Sequence, residues 1–118
     1  IPYIKGEEEK TENEPLNILG RIKDNEIVLC PDIKISAHCN RVPTIDGHMA
    51  CVSVGFETKP TREEILEAWQ SFRSDPQELA LPSAPARPIV YKEEPNRPQT
   101  RLDRDTEKGM ATVVGRLR

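Results

Sequence analysis

The sequence predicts an α+β fold: a mixed, largely antiparallel sheet with helices on one face. Three observations predict it. Residues 49–57 alternate, with Ala50, Val52, Val54 and Phe56 on one face, the period-two pattern of a half-buried strand. Residues 61–73 repeat apolar side chains at three- and four-residue spacing, through Ile65, Ala68, Trp69 and Phe72, which is helical. Strand and helix signals intermix without a Gly-x-Gly-x-x-Gly turn, so nothing here binds a dinucleotide by that mechanism.

The elements follow in order. Residues 7–20 read as a charged helix, with Leu16, Ile18 and Leu19 near its end and Gly20 as its stop. Pro15 lacks an amide hydrogen and crowds the preceding turn, which predicts a kink or two short pieces. Ile27-Val28-Leu29 is a short apolar run before Pro31, and residues 34–41 alternate weakly as a strand. In the helix of residues 61–73, Thr61 and Glu64 form a capping box that satisfies two backbone donors reciprocally. Ser74-Asp75-Pro76 ends that helix. Residues 76–100 hold Pro76, Pro82, Pro85, Pro88, Pro95 and Pro98 and read as extended loop, with one short strand at Pro88-Ile89-Val90-Tyr91. Residues 110–117 read as a final strand, and no internal repeat is visible.

Composition narrows the function. The chain has 118 residues, enough for one domain with a modest core. A net charge of −3 gives no reason to expect nucleic acid, which favours basic patches. No apolar run approaches the roughly 20 residues that span a bilayer, and no basic-then-apolar leader opens the chain. Three cysteines, an odd number without framework spacing, favour a reducing, cytoplasmic setting. Ile1-Pro2-Tyr3-Ile4 is too apolar for a free end, and residues 110–118 read as a strand that stops at the last residue. The chain therefore reads as part of a longer enzyme.

Residues 39–48, Cys-Asn-Arg-Val-Pro-Thr-Ile-Asp-Gly-His, carry the chemistry. The planar fork of Arg41 suits a carboxylate or phosphate. Asp46-Gly47 is a turn signal, because Gly accepts positive φ. The turn is expected to deliver His48, a proton carrier near neutral pH, to the rim of a sheet near Arg41. Read alone, Arg41 is more readily a surface charge and His48 more readily a turn cap.

Arg41-Val42-Pro43, then four residues, then His48 and a Val-rich segment, resembles aspartate-β-semialdehyde dehydrogenase of the archaeal and fungal branch. Three further segments fit in the same order: Ile1-Pro2-Tyr3-Ile4 with Gly6-Glu7-Glu8-Glu9-Lys10, residues 99–105, and Gly109-Met110 with Val113-Val114-Gly115-Arg116. The resemblance implies that residues 1–118 belong to the substrate-binding and dimerisation domain, similar to the C-terminal domain of glyceraldehyde-3-phosphate dehydrogenase. It implies a homodimer or higher oligomer through the sheet face, and a small-molecule substrate, with neither nucleic acid nor membrane as partner. It implies interconversion of aspartyl phosphate and aspartate semialdehyde, with NADP bound by a domain outside this chain, in lysine, methionine and threonine biosynthesis. Residue by residue, it implies His48 as the catalytic acid/base and Arg41 as the clamp on the substrate carboxylate. It likewise implies Glu7 at the substrate amino group and Lys10 at the phosphate. Glu8 and Glu9 stand beside Glu7 as alternatives. The nucleophilic cysteine of the family precedes this segment, so the chain by itself is expected to be inactive and to bind no cofactor.

Other readings compete. Cys39 and Cys51 with His38 and His48 suggest a metal, but ligands at 48 and 51 would face opposite ways along one strand, and no Cys-x-x-Cys is present. All three cysteines read as reduced and structural, and no metal is expected. Residues 99–105 read as a solvated charged run, with no contact assigned to Arg101 or Arg104. Malonyl-coenzyme A reductase, of the same branch, shares the fold and chemistry. A non-enzymatic alternative is a Pro-rich docking segment at residues 82–98, where two loose PxxP matches occur.

Overall fold

A computed structural model describes residues 1–118, and its first helix, α1 (Glu7–Ile18), starts at Gly6, whose backbone is left-handed at φ 83°. No side chain caps this end; Glu7, Glu8 and Glu9 in the first turn instead suit the positive end of the helix dipole. The helix is continuous through Pro15, so the expected division into two short pieces does not occur. The amide that Pro15 lacks would serve the carbonyl four residues back, at Thr11, in an exposed turn where water can replace it.

After α1 comes a hairpin that the apolar pattern does not announce. Strands β1 (Arg21–Lys23) and β2 (Glu26–Val28) pair antiparallel, with Ile22 opposite Ile27. Asp24 and Asn25 both take positive φ, 51° and 65°, as a two-residue hairpin turn of matching twist requires. The Cys30 amide donates to the Leu16 carbonyl at 2.9 Å and ties the hairpin back to α1. These elements belong to one compact unit, Ile1–Pro43; the rest of the chain, Thr44–Arg118, is a second.

In the second unit, helix α2 (Arg62–Ser71) opens with the expected capping box. Thr61 N donates to Glu64 Oε2 at 2.7 Å, and Glu64 N donates to Thr61 Oγ1 at 3.2 Å. The Thr61 amide bond, with the Thr61 hydroxyl donating to the same oxygen at 2.9 Å, holds the Glu64 carboxyl below its ordinary pKa. The half-buried face of α2 is Ile65, Leu66 and Trp69; Ala68 and Phe72 are exposed. Trp69 stacks on Tyr91 with ring centroids 5.9 Å apart, and the Arg62 guanidinium lies 5.6 Å from the same ring. A one-turn helix, α3 (Asp75–Glu78), follows, and Ser74 N donates to Gln77 Oε1 at 3.2 Å.

Strand β3 (Ile89–Lys92) pairs in parallel with β4 (Thr112–Gly115), in register Ile89 with Thr112 and Lys92 with Gly115. Their connection carries helix α4 (Thr100–Asp103) and a 3₁₀ turn (Thr106–Gly109), long enough to return the chain in the same direction. The α+β class therefore holds, while the expected single, largely antiparallel sheet is replaced by two two-stranded sheets, one of each kind. Val90, only 8% exposed, is the buried hydrophobic centre.

Two expected strands are absent. Residues 49–57 form no ladder, and Val52, Val54 and Phe56 are exposed, Val52 at 76%. Alternation selects a face to bury but supplies no hydrogen-bonding neighbour, and no strand of this chain provides one. Residues 34–41 also form no strand, because their backbone is satisfied by other groups, as described below. No helix is long and apolar enough to cross a membrane.

Candidate functional site

Glu7 and Lys10 lie three residues apart on α1, so they share a side of the helix. The neighbouring side is committed to the segment that carries Arg41. Glu12 Oε1 accepts from the Ala37 amide at 2.9 Å, and Glu8 Oε1 accepts from the Cys39 amide at 3.0 Å. Thr11 Oγ1 lies 3.6 Å from Cys39 Sγ. Two residues further, Arg41 exchanges both backbone bonds with Ile1, Arg41 N to Ile1 O and Ile1 N to Arg41 O, each 2.9 Å. Alternate amides of residues 37–41 thus face α1 and the N-terminal segment, with carboxylates standing in for a strand. Glu8 is thereby committed to backbone, which leaves Glu7 and Glu9 as the exposed carboxylates of that first turn. Arg41, Glu7 and Lys10 are all exposed, and no buried partner quenches their charge.

His48 lies in the second unit and is exposed. It follows a turn, as expected: Gly47 has φ +97°, where a side chain would be strained. It is not at the rim of a sheet, since residues 49–57 form none. The turn is backed by α4 instead. A β-carbon at Gly47 would meet Thr100 Cγ2 at 3.4 Å and Arg104 Cβ at 4.0 Å. Arg104 also faces Asp46, with Nη1 3.8 Å from Oδ2. The charged run at residues 99–105 is therefore the support of the His48 turn, not only a solvated face.

That run contains the group that sequence reasoning missed. Asp103, 3% exposed, is the buried carboxylate of the chain. Arg97 donates to it through Nε at 2.8 Å and through Nη2, and the Gln99 amide donates at 2.7 Å. These bonds, the Arg97 bond first, lower its pKa from 3.8 to about 2 against the opposing effect of burial. The usable signal was the placement of an Asp at the end of a short turn begun by Gln99, where a carboxylate can reach back to the first amide. Gly115 closes the arrangement: a β-carbon there would sit 2.6 Å from the Arg97 carbonyl oxygen.

Cys30, Cys39 and Cys51 are free thiols, the first two half-buried and Cys51 exposed, so Cys51 does not pack as a structural residue would. No group of three or more His, Cys, Asp or Glu side chains is arranged to hold a metal ion. Neither long helix offers a diphosphate site at its N-terminus. The two begin with Glu7, Glu8 and Glu9 and with Glu63 and Glu64, which repel an anion where a diphosphate site needs bare amides.

A small α+β chain that exposes Arg41, Lys10 and His48 and carries no Gly-x-Gly-x-x-Gly turn is a domain without a dinucleotide-binding motif of its own. The chain belongs to the family described as semialdehyde dehydrogenase, dimerisation domain, which matches residues 1–118. It is 48% identical over its whole length to an aspartate-semialdehyde dehydrogenase of Archaeoglobus fulgidus, covering 33% of that protein. It is 40% identical to the enzyme of that name from Saccharomyces cerevisiae, covering 34% of it. The crystal structure of aspartate semialdehyde dehydrogenase with NADP from Candida albicans superimposes over the whole chain with a TM-score of 0.90 at 41% identity, and the chain covers 35% of that structure. The chain thus spans about a third of the length of the relatives it matches.

Proposed function

We propose that residues 1–118 are the substrate-binding and dimerisation domain of a longer NADP-dependent aspartate-semialdehyde dehydrogenase. That enzyme interconverts aspartate semialdehyde and aspartyl phosphate in the cytoplasm, for lysine, methionine and threonine synthesis. The observation that carries the reading is whole-chain identity of 40–48% to proteins of that name, with Arg41 and His48 at the family's spacing. In this reading the Arg41 fork holds the substrate carboxylate through two parallel bonds. Glu7 meets the substrate ammonium, and Lys10 binds the phosphate as a point charge. His48 removes the thiol proton of a cysteine outside this chain and later exchanges a proton with the substrate oxygen. NADP, held outside this chain, supplies the hydride chemistry.

A homodimer accompanies this function. The exposed apolar side chains of residues 49–57 are candidates for burial against a second copy, where that segment would gain the neighbour it lacks. Neither alternative gains an observation of its own. The prolines of the docking reading are partly used internally: Pro85 and Pro88 are half-buried, and the Pro85 carbonyl accepts from Gln77 Nε2 at 3.2 Å.

The test is an assay of the full-length protein. Phosphate-dependent reduction of NADP with aspartate semialdehyde is expected, with no comparable oxidation of NADPH by malonyl-coenzyme A. The reverse preference would move the protein to malonyl-coenzyme A reductase.

A further inference from the structure

We infer that Glu8 is a positioning residue for the substrate carboxylate, acting through Arg41; the inference rests on the reading of Arg41 as the clamp. The observation is the unusual way in which residues 37–41 are held. An extended segment normally has its alternate amides satisfied by a neighbouring strand. Here the Ala37 amide goes to Glu12, the Cys39 amide to Glu8 and the Arg41 amide to the Ile1 carbonyl. Glu8 and Glu12 are one helical turn apart, and their two acceptors match the two-residue repeat of the segment. A shift of the segment by one residue would turn its amides to the opposite edge, away from both carboxylates.

Glu8 is the nearer of the two to Arg41, since the amide it holds, at Cys39, lies two residues from Arg41 in the chain, and it sits beside Glu7 in the first turn of α1. Its carboxylate therefore fixes where the Arg41 backbone runs relative to the helix that bears Glu7 and Lys10. The bond is charge-assisted and half-buried, the class of contact whose loss is felt. Glu8 does this by accepting, not by bearing charge at the substrate. A glutamine, which keeps an acceptor oxygen at the same reach but not the charge, should retain about half of the effect.

The experiment uses the full-length enzyme and four variants: Glu8→Ala, Glu8→Gln, Arg41→Lys, and Glu8→Ala combined with Arg41→Lys. Glu8→Ala is expected to raise KM for aspartate semialdehyde about tenfold, the scale of one charge-assisted bond, with KM for phosphate little changed. Glu8→Gln, which keeps the acceptor but not the charge, should raise it clearly less, about threefold. In the Arg41→Lys background, Glu8→Ala should add little, because the fork that Glu8 aims is already gone. Equal losses for Gln and Ala would mean that the carboxylate charge itself meets the substrate, and would overturn the inference. So would a Glu8→Ala effect that is undiminished in the Arg41→Lys background. Should Glu8→Ala fail to fold, Glu12→Ala removes the adjoining acceptor of the same segment and should raise the same KM; an unchanged value counts against the inference. If Arg41→Lys alone leaves KM unchanged, the clamp reading fails first, which separates the two failures.

Discussion

Replacing Asp103 by Asn probes the one buried charge in the chain. The side chain keeps its shape, but its amide presents a donor where Arg97 and the Gln99 amide both need an acceptor. A pKa held at about 2 against an ordinary 3.8 corresponds to about 2 kcal/mol of stability at neutral pH. Because the folded value lies below the unfolded one, that contribution is complete above about pH 5 and fades as pH falls from about 4 through about 2. Hydrogen exchange in the full-length protein reads the local opening without assuming two-state unfolding of several domains. At pH 7 the amides of residues 97–105 and of β4 should exchange about thirtyfold faster in Asp103→Asn, the population equivalent of about 2 kcal/mol. After correction for intrinsic exchange, the parent protein should lose about half of this excess stability on acidification to about pH 3 and most of it by about pH 2, and the variant should have none to lose. Equal protection at pH 7 would mean that the pair is screened by water and that the segment supporting the His48 turn is held by other contacts.

Three further outcomes are expected. Gly115→Ala places a β-carbon 2.6 Å from the Arg97 carbonyl and 3.1 Å from that of Lys92, both backbone atoms. It should destabilise the β3–β4 unit by about 1–3 kcal/mol, measured by the same exchange. Arg41→Lys should raise KM for aspartate semialdehyde clearly while the pH profile of turnover keeps its shape, since Lys retains charge but loses the fork. The isolated chain should show no reduction of NADP and should self-associate in sedimentation; a clean monomer at micromolar concentration would count against the apolar face of residues 49–57 as an interface.

Local signals were legible in the sequence, and pairings were not. The capping box at Thr61 and Glu64 could be read because both partners lie within one turn of helix. The strand at residues 89–92 was readable as a short apolar run between prolines. The alternation at residues 49–57 was equally plain, yet it formed no strand, since alternation names a face without naming a partner. The hairpin at Asp24-Asn25 was missed because its strands are three residues each and its signal lies in two residues tolerant of positive φ. At the candidate site, residue types and spacing suggested Arg41 and His48, and only the family resemblance pointed to Glu7 and Lys10. The sequence could not show that Glu8 is committed to the Cys39 amide, because that bond spans 31 residues. Asp103 was hidden in a charged run for a similar reason: Arg97 lies beyond Pro98, outside the helix that Asp103 ends.

The central claim is that this chain supplies the proton-moving group of a semialdehyde dehydrogenase, and His48→Ala in the full-length enzyme tests it most directly. Steady-state turnover of aspartate semialdehyde should fall roughly a hundredfold or more, the usual scale of general acid/base catalysis. KM values should move far less, because an imidazole that carries protons need not bind the ground state. Turnover at the parent rate would contradict the account and return His48 to an ordinary turn residue.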